Sequence, residues 1–333
     1  MEFTMGGQLE VRMTAADVGK RVSIRRAVEA PGRSAKFTDT VGVLTSWDAG
    51  VLSVTTKNGE SVHIAESSLV AGKVVPPAPA RRRGPAASFR ELSLVAARAW
   101  QPVESETLGE WRLRASAGFT RRANSVLPLG DPGLPLGDAL ERVRRWYGER
   151  GLPAYVQTAT GAEGTQELLC SGLEEHGWRR EVTADLRIAA LAPIGDLDAD
   201  VTAVRVSRTT DDAWLSRYQR FETPGPHVLK VLNSGPSVWF ASVPGDDPAG
   251  SPGAIGRCVV DGRWAGFMAV EVGPEYRRRG LATAVMAALA RTALDEGASA
   301  AWLQVETDNE GAGALYERMG FATHHSYHHF RPA

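Results

Sequence analysis

The chain has 333 residues, 43% hydrophobic and 23% charged, which fits an ordinary globular protein of two or three domains. Its formal net charge of −1 gives no bulk electrostatic case for nucleic acid. Its two cysteines, Cys170 and Cys258, stand outside any CxxC pair and support neither a disulfide framework nor a zinc site. No apolar run reaches the ~18 residues of a membrane helix, and the N-terminus lacks a signal-peptide core. The expectation is a protein of the reducing cytoplasm with no membrane partner.

Residues 1–75 read as β. "RVSIRRAV", "DTVGVLTSWD", "GVLSVTTKNG" and "ESVHIAESSLV" are short β-branched segments between turn signals. Lys57-Asn58-Gly59 is a hairpin cue, because Asn-Gly suits the positive-φ positions of a tight turn. These strands suggest a small β-barrel of SH3-like proportions, serving in docking or dimerisation. The competing reading is nucleic-acid binding through Arg25, Arg26, Arg33 and Lys36. Residues 76–88 form a Pro/Ala/Arg linker, extended and solvated, which implies few contacts across it.

Residues 89–192 alternate helix and strand. "SFRELSLVAARAW" reads as a helix, then "EWRLRAS" and "RRANSVLPL" as strands. "GDALERVRRWYGERG" and "TQELLCSGLEEHG" are helices, each followed by a strand, "AYVQTA" and "REVTADLRIAAL". A boundary falls in "APIGDLDAD", and residues 201–333 form a second α/β unit.

The two units carry an internal repeat. "AYVQ" and then "LEEHGW" in the first answer to "AWLQ" and then "YERMGF" in the second. Both read strand, helix, Gly-aromatic, strand, with the glycine suited to a left-handed helix end. The repeat breaks where chemistry is expected. Leu173 stands where the second unit has Tyr316, and "PLGDPGLPLGD" stands where it has "PEYRRRGLAT". The arginine-glycine turn lies between the apolar run "RWAGFMAVEV" and a helical pattern on Leu281, Val285 and Leu289. That is a phosphate-binding layout.

With "VEVGPEY", Arg277-Arg278-Arg279-Gly280-Leu281-Ala282 and "TDNEGAGALYERMGF" in this order, the second unit resembles the GNAT-superfamily N-acetyltransferases. The resemblance implies a GNAT fold, an α/β mixed sheet flanked by helices, here in tandem with a degenerate first half that carries "GFTRRANSV". A barrel followed by paired GNAT units is similar to a bacterial group labelled histone-acetyltransferase-like or N-acetylglutamate-synthase-like. It further implies acetyl-CoA as cosubstrate, with no metal. The backbone N–H groups from Arg278 through Gly280, Leu281, Ala282 and Thr283 would face its pyrophosphate. The arginines would add charge, and the backbone at Val270 and Val272 would pair with the pantetheine arm. Tyr316 matches the family's thiolate-side tyrosine, and Asn309 a pantetheine or water contact, or else a helix N-cap.

The general base stays open. Gln304 stands where some members have a glutamate, which leaves Glu271, the preferred choice, and Glu306. The tail "THHSYHHFRP" is expected to place His324 and His328 on one strand face and His325 and His329 on the other. They would line a substrate, hold a metal or lie at the surface. The acceptor expected is a primary amine of a small molecule or a protein, and a homodimer is compatible with the layout. The alternatives are a CoA-binding scaffold without turnover and a nucleic-acid-associated factor anchored by the barrel.

Overall fold

The computed structural model describes residues 11–28, 36–76, 84–218, 224–247 and 250–333. Arg33, the Lys36 side chain, the arginines at 81–83 and residues 219–223 lie outside the described residues. The N-terminal unit is made of β1 (Val11–Arg12), β2 (Arg21–Val28), β3 (Lys36–Asp48), β4 (Val51–Thr56), β5 (Ser61–Ala65) and β6 (Leu69–Val74). They form one sheet in the order β1-β6-β2-β3-β4-β5. It wraps a core of Met13, Val22, Ile24, Leu44, Leu52, Val54 and Ile64, apolar positions that alternate along each strand. The hairpin expected at Lys57-Asn58-Gly59 joins β4 to β5, with the Gly59 N–H donating to the Thr56 carbonyl at 2.9 Å.

The next segment runs α1 (Phe89–Ala99), β7 (Glu104–Leu108), β8 (Trp111–Ala115), β9 (Leu127–Pro128), α2 (Leu136–Gly148), β10 (Val156–Thr160), α3 (Glu167–Glu175) and β11 (Trp178–Ala190). The strand read over "RRANSVLPL" is corrected here. Residues 121–123 form a single helical turn and only β9 is extended. Asn124 is the cause. Its carboxamide accepts from the N–H groups of Ser116 and Gly118 and donates to the carbonyls of Phe119 and Thr120, which winds the chain into a loop.

The remainder comprises α4 (Ala192–Gly195), β12 (Arg205–Ser207), α5 (Asp212–Arg217), α6 (Pro226–Leu232), β13 (Ser237–Val243), β14 (Ala254–Asp261), β15 (Trp264–Val272), α7 (Leu281–Asp295), β16 (Ala300–Glu306), α8 (Glu310–Arg318) and β17 (Ala322–Pro332). The repeat's glycines adopt the expected left-handed conformation, φ +75° at Gly177 and +91° at Gly320. The aromatic after each, Trp178 or Phe321, is buried.

The two α/β units do not stand side by side as the repeat suggests. Eight strands form one sheet in the order β10-β17-β11-β16-β15-β14-β13-β12. The last strand of each half crosses into the other, so that β17 lies between β10 and β11, and β11 pairs with β16. Helix α1 crosses too. Leu92, Val95 and Ala99 pack with Val259, Trp264 and Trp302 of the second half, and Glu91 accepts from Trp264 Nε1 and Arg263 Nη2, each at 2.8 Å. Exchange of this kind buries the edges that two separate sheets would leave open.

The expectation of few contacts between the barrel and the rest does not hold. The Lys57 and Asn58 carbonyls at the hairpin tip accept from Thr160 Oγ1 at 2.9 Å and Arg180 Nη1 at 2.8 Å. Ser61 Oγ donates to Glu174 Oε2 at 2.8 Å. A linker's composition describes the linker and not the faces it joins. Among the described residues no helix is long and apolar enough to cross a membrane.

Candidate active site

The site begins with a defect in β15. The β14–β15 pairing jumps from Ile255↔Glu271 to Arg257↔Met268, and Ala269 sits at φ +52°. An extra residue in one strand bends it away from its neighbour. The parallel pairing of β15 with β16 accordingly runs from Trp264↔Ala300 to Phe267↔Leu303 and stops. Beyond it the strands diverge around a cavity of about 280 Å³. Val270 and Glu271 form one side and Gln304 and Glu306 the other, with Asn309 and Tyr316 of α8 alongside. Val272 remains paired to Ala254 of β14.

At the same end of β15 the chain turns into α7. Gly280 is the N-cap at φ +79°, a conformation that costs a side-chain-bearing residue about 1–2 kcal/mol. Arg278 accepts such a conformation at φ +62°. The first N–H to bond within the helix is that of Ala284, to Gly280 O at 3.0 Å. The N–H groups of Leu281, Ala282 and Thr283 come before it, at the positive end of the helix dipole. Arg277, Arg278 and Arg279 are exposed, and the Arg279 guanidinium lies 5.2 Å from the Tyr276 ring. The Leu281 side chain packs on the core, so this residue offers the turn only its backbone.

Tyr316 packs edge-on to Phe321 with ring centroids 6.0 Å apart. Burial pushes its phenol up to about 12, so it stays protonated through the neutral range. Asn309 is a helix N-cap, its carboxamide oxygen accepting from the Ala312 N–H at 3.1 Å, and it lines the cavity as well. The structure thus brings Glu271, Tyr316 and Asn309 to one cavity, with the Arg277–Gly280 turn at the end of the strand that forms its wall.

The opposite wall comes from the first half. Thr120, Arg121 and Arg122 of the Asn124-wound loop line the cavity, together with Tyr327 and His329 of β17. The sequence pattern does not single out these two arginines as site residues. The phrase that carries them, "TRRAN", lies in the half whose turn lacks the binding pattern. Arg121 pairs with Glu181 at 2.8 Å. Arg122 Nε donates to Tyr327 Oη at 2.9 Å.

The histidine tail departs from the expected alternation. A bulge between the Leu186↔His325 and Arg187↔Thr323 pairs sets His324 aside, and its ring meets His325 with Nδ1 atoms 2.9 Å apart. His325, His328 and His329 are buried, not surface groups. His328 sits between Thr160 Oγ1 at 2.9 Å and Thr183 Oγ1 at 3.0 Å, and burial pushes it down to about 3. His325 is likewise pushed down to about 3 by burial. His329 is held well below the usual range by burial and then by Arg122, Arg114 and Arg121. Neither of its ring nitrogens has a protein partner among the described residues, at a cost on the order of 1–3 kcal/mol for each unpaired group. No group of three or more His, Cys, Asp or Glu side chains suited to a metal occurs among the described residues. Both cysteines are buried free thiols.

The first half's matching features are filled by its own groups. In the turn before α2, the Asp131 N–H donates to Glu110 Oε2 at 3.0 Å and the Gly133 N–H to Asp131 Oδ1 at 2.7 Å. Between β9 and β10, Gln166 donates through Nε2 to the Pro128 carbonyl and accepts from the Ala159 N–H at 3.1 Å. The space left there is about 10 Å³.

A bulged strand diverging from its parallel neighbour, with a glycine-capped helix start beside the gap, defines a GNAT-type N-acetyltransferase, here in tandem. A family model described as "Probable histone acetyltransferase Rv0428c C-terminal" matches residues 86–330, and "Rv0428c N-terminal Sm-like domain" matches residues 16–73. The chain belongs to this family. The Sm-like and SH3-like descriptions refer to similar small barrels. "Probable histone acetyltransferase Rv0428c" of Mycobacterium tuberculosis is 29% identical over 92% of this chain and 93% of its own length. "Uncharacterized N-acetyltransferase YobR" of Bacillus subtilis is 26% identical over 73% and 98%. Among solved structures, a GCN5-related N-acetyltransferase from Kribbella flavida superposes with a TM-score of 0.53 at 16% identity, covering 74% of this chain and 96% of that one. A tandem GNAT protein from the clavulanic acid biosynthesis pathway superposes at 0.50 and 12% identity, covering 75% and 89%. The likeness to the last two is one of fold.

Proposed function

We propose that the protein transfers an acetyl group from acetyl-CoA to a primary amine at the cavity between β15 and β16. The observation that carries this reading is the divergence of those strands beside the Gly280 helix start. An extended thioester arm fits a strand edge whose ladder has ended, and a diphosphate fits N–H groups and arginines at a helix N-terminus.

In this reading the acceptor nitrogen attacks the thioester carbonyl, a C–N bond forms and the C–S bond breaks. Glu271, on the bulged wall, takes the proton the ammonium must lose. Tyr316 gives its phenolic proton to the departing sulfur, a role suited to a phenol that burial keeps protonated. Asn309 contacts the arm through the part of its amide not used in capping, and the backbone at Val270 and Val272 flanks it.

Calorimetric titration with CoA tests the reading. One site per chain is expected, along with amine-dependent thiol release from acetyl-CoA. Absence of CoA binding overturns the whole assignment. Tight CoA binding without thiol release across a broad amine panel leaves a scaffold in place of an enzyme.

A further inference from the structure

The cavity has walls of two origins. The second half supplies the groups assigned to the thioester. The first half supplies a loop that acetyl transfer alone does not require. That loop is held firmly, because Asn124 makes four hydrogen bonds within it and buried Arg114 bonds both the carbonyl and the hydroxyl of Ser125 at 2.8 Å.

Its two arginines are committed differently. Arg121 pairs with Glu181. Arg122 is half-buried, donates through Nε to Tyr327 Oη and pairs with no carboxylate among the described residues. The Tyr327 contact leaves its two terminal amino groups for another partner. His329 packs edge-on to Tyr327, ring centroids 5.7 Å apart. It is 3% exposed, lines the same cavity and, among the described residues, has no protein partner at either nitrogen. Facing these groups, the C-terminal wall carries Glu271 and Glu306.

We propose that the acceptor is a small amine that also carries an anionic group, a carboxylate or a phosphate, which Arg122 holds with His329 beside it. The proposal rests on the acetyl-transfer reading above. A guanidinium fork matches either anion in a bidentate geometry, and a buried imidazole without a partner supplies a further hydrogen bond. The acidic wall then receives the amine end. The degenerate half survives in this scheme as the acceptor-recognition wall.

The test uses the full chain saturated with CoA. Calorimetric titration with glutarate and with inorganic phosphate should detect binding of one of them, which separates the two anions. Arg122→Gln should weaken that binding at least tenfold. Arg122→Lys, which keeps the charge without the fork, should weaken it less, and its melting temperature checks the fold. Matched acceptors give the second readout: 4-aminobutyrate against butylamine, and phosphoethanolamine against ethanolamine. The anion-bearing member of one pair should show a kcat/KM at least tenfold higher, and Arg122→Gln should lower it at least tenfold more than its counterpart. Silent glutarate and phosphate titrations, equal kcat/KM within both pairs, or faster acetylation of an unstructured lysine peptide than of any anion-bearing amine would each overturn the proposal. CoA binding is read separately, so its loss in the wild-type chain would instead sink the acetyl-transfer reading.

Discussion

The two halves of the sheet share a plan and differ in who fills it. Between β15 and α7 the turn is glycine-capped, edged by arginines, and has N–H groups ahead of the first helical bond. Between β9 and α2 the loop folds on itself, its Asp131 and Gly133 N–H groups held by Glu110 and Asp131, and α2 starts from Pro135 with neither a glycine cap nor an arginine before it. At the start of α8, Asn309 caps its own helix and borders an open cavity. At the start of α3, Gln166 reaches across and ties β9 to β10. Tyr316 is answered by Leu173, which is fully buried. The first half has therefore lost its cleft to its own polar groups while keeping its fold, with the Asp131, Gly133 and Ala159 N–H groups each held by an internal side chain.

The largest effect should come from Gly280→Glu. A side chain at φ +79° is strained, and a carboxylate there repels phosphate. CoA affinity should fall at least about 100-fold by calorimetry, roughly 2.8 kcal/mol, while the far-ultraviolet circular dichroism stays unchanged. Retained affinity would break the contrast between the two turns.

Tyr316→Phe comes next. It keeps the ring against Phe321 and removes the proton, so CoA affinity should hold while kcat falls by about 10²–10⁴-fold. Because burial pushes the phenol up to about 12, any alkaline limb at lower pH should be the same in both proteins. A Phe variant with near-normal kcat would make Tyr316 no more catalytic than Leu173.

Gln166→Ala removes the plug of the first half. It strands the Pro128 carbonyl and the Ala159 N–H, and the stability measured in urea should drop by about 1–3 kcal/mol. CoA stoichiometry should stay near one, because the start of α2 still lacks the glycine cap and the arginines of the turn before α7. A second equivalent of CoA would show that the plug alone separates the halves.

The effect smallest at neutral pH concerns β17, the strand the first half borrows. His328 is pushed down to about 3 in the fold, against ~6.5 for an unfolded chain. Between those values the unfolded chain binds the extra proton, so stability is full above about pH 6.5 and declines as the pH falls toward 3. His328→Gln should flatten that decline in melting curves taken across the window. An unchanged slope would assign the acid sensitivity to other groups.

What the sequence determined by itself was local. The Asn-Gly hairpin, the Gly-aromatic helix ends, the Arg-Arg-Arg-Gly turn and the helix opened by Asn309 are each written in a few neighbouring residues, because backbone conformation and capping are short-range. The family resemblance added the order of those pieces. Tertiary structure alone decided the rest. The exchange of β11 and β17 depends on which strand edges find partners, and alternation along one strand cannot foresee the bulge that displaces His324. The barrel's seat on Thr160 and Arg180 was hidden behind a linker that looks unconstrained. Arg122 and Tyr327, 205 positions apart, reach one cavity only because the C-terminal strand crosses into the first half. No composition or period records that pairing, since it is a property of the sheet's order and not of either segment.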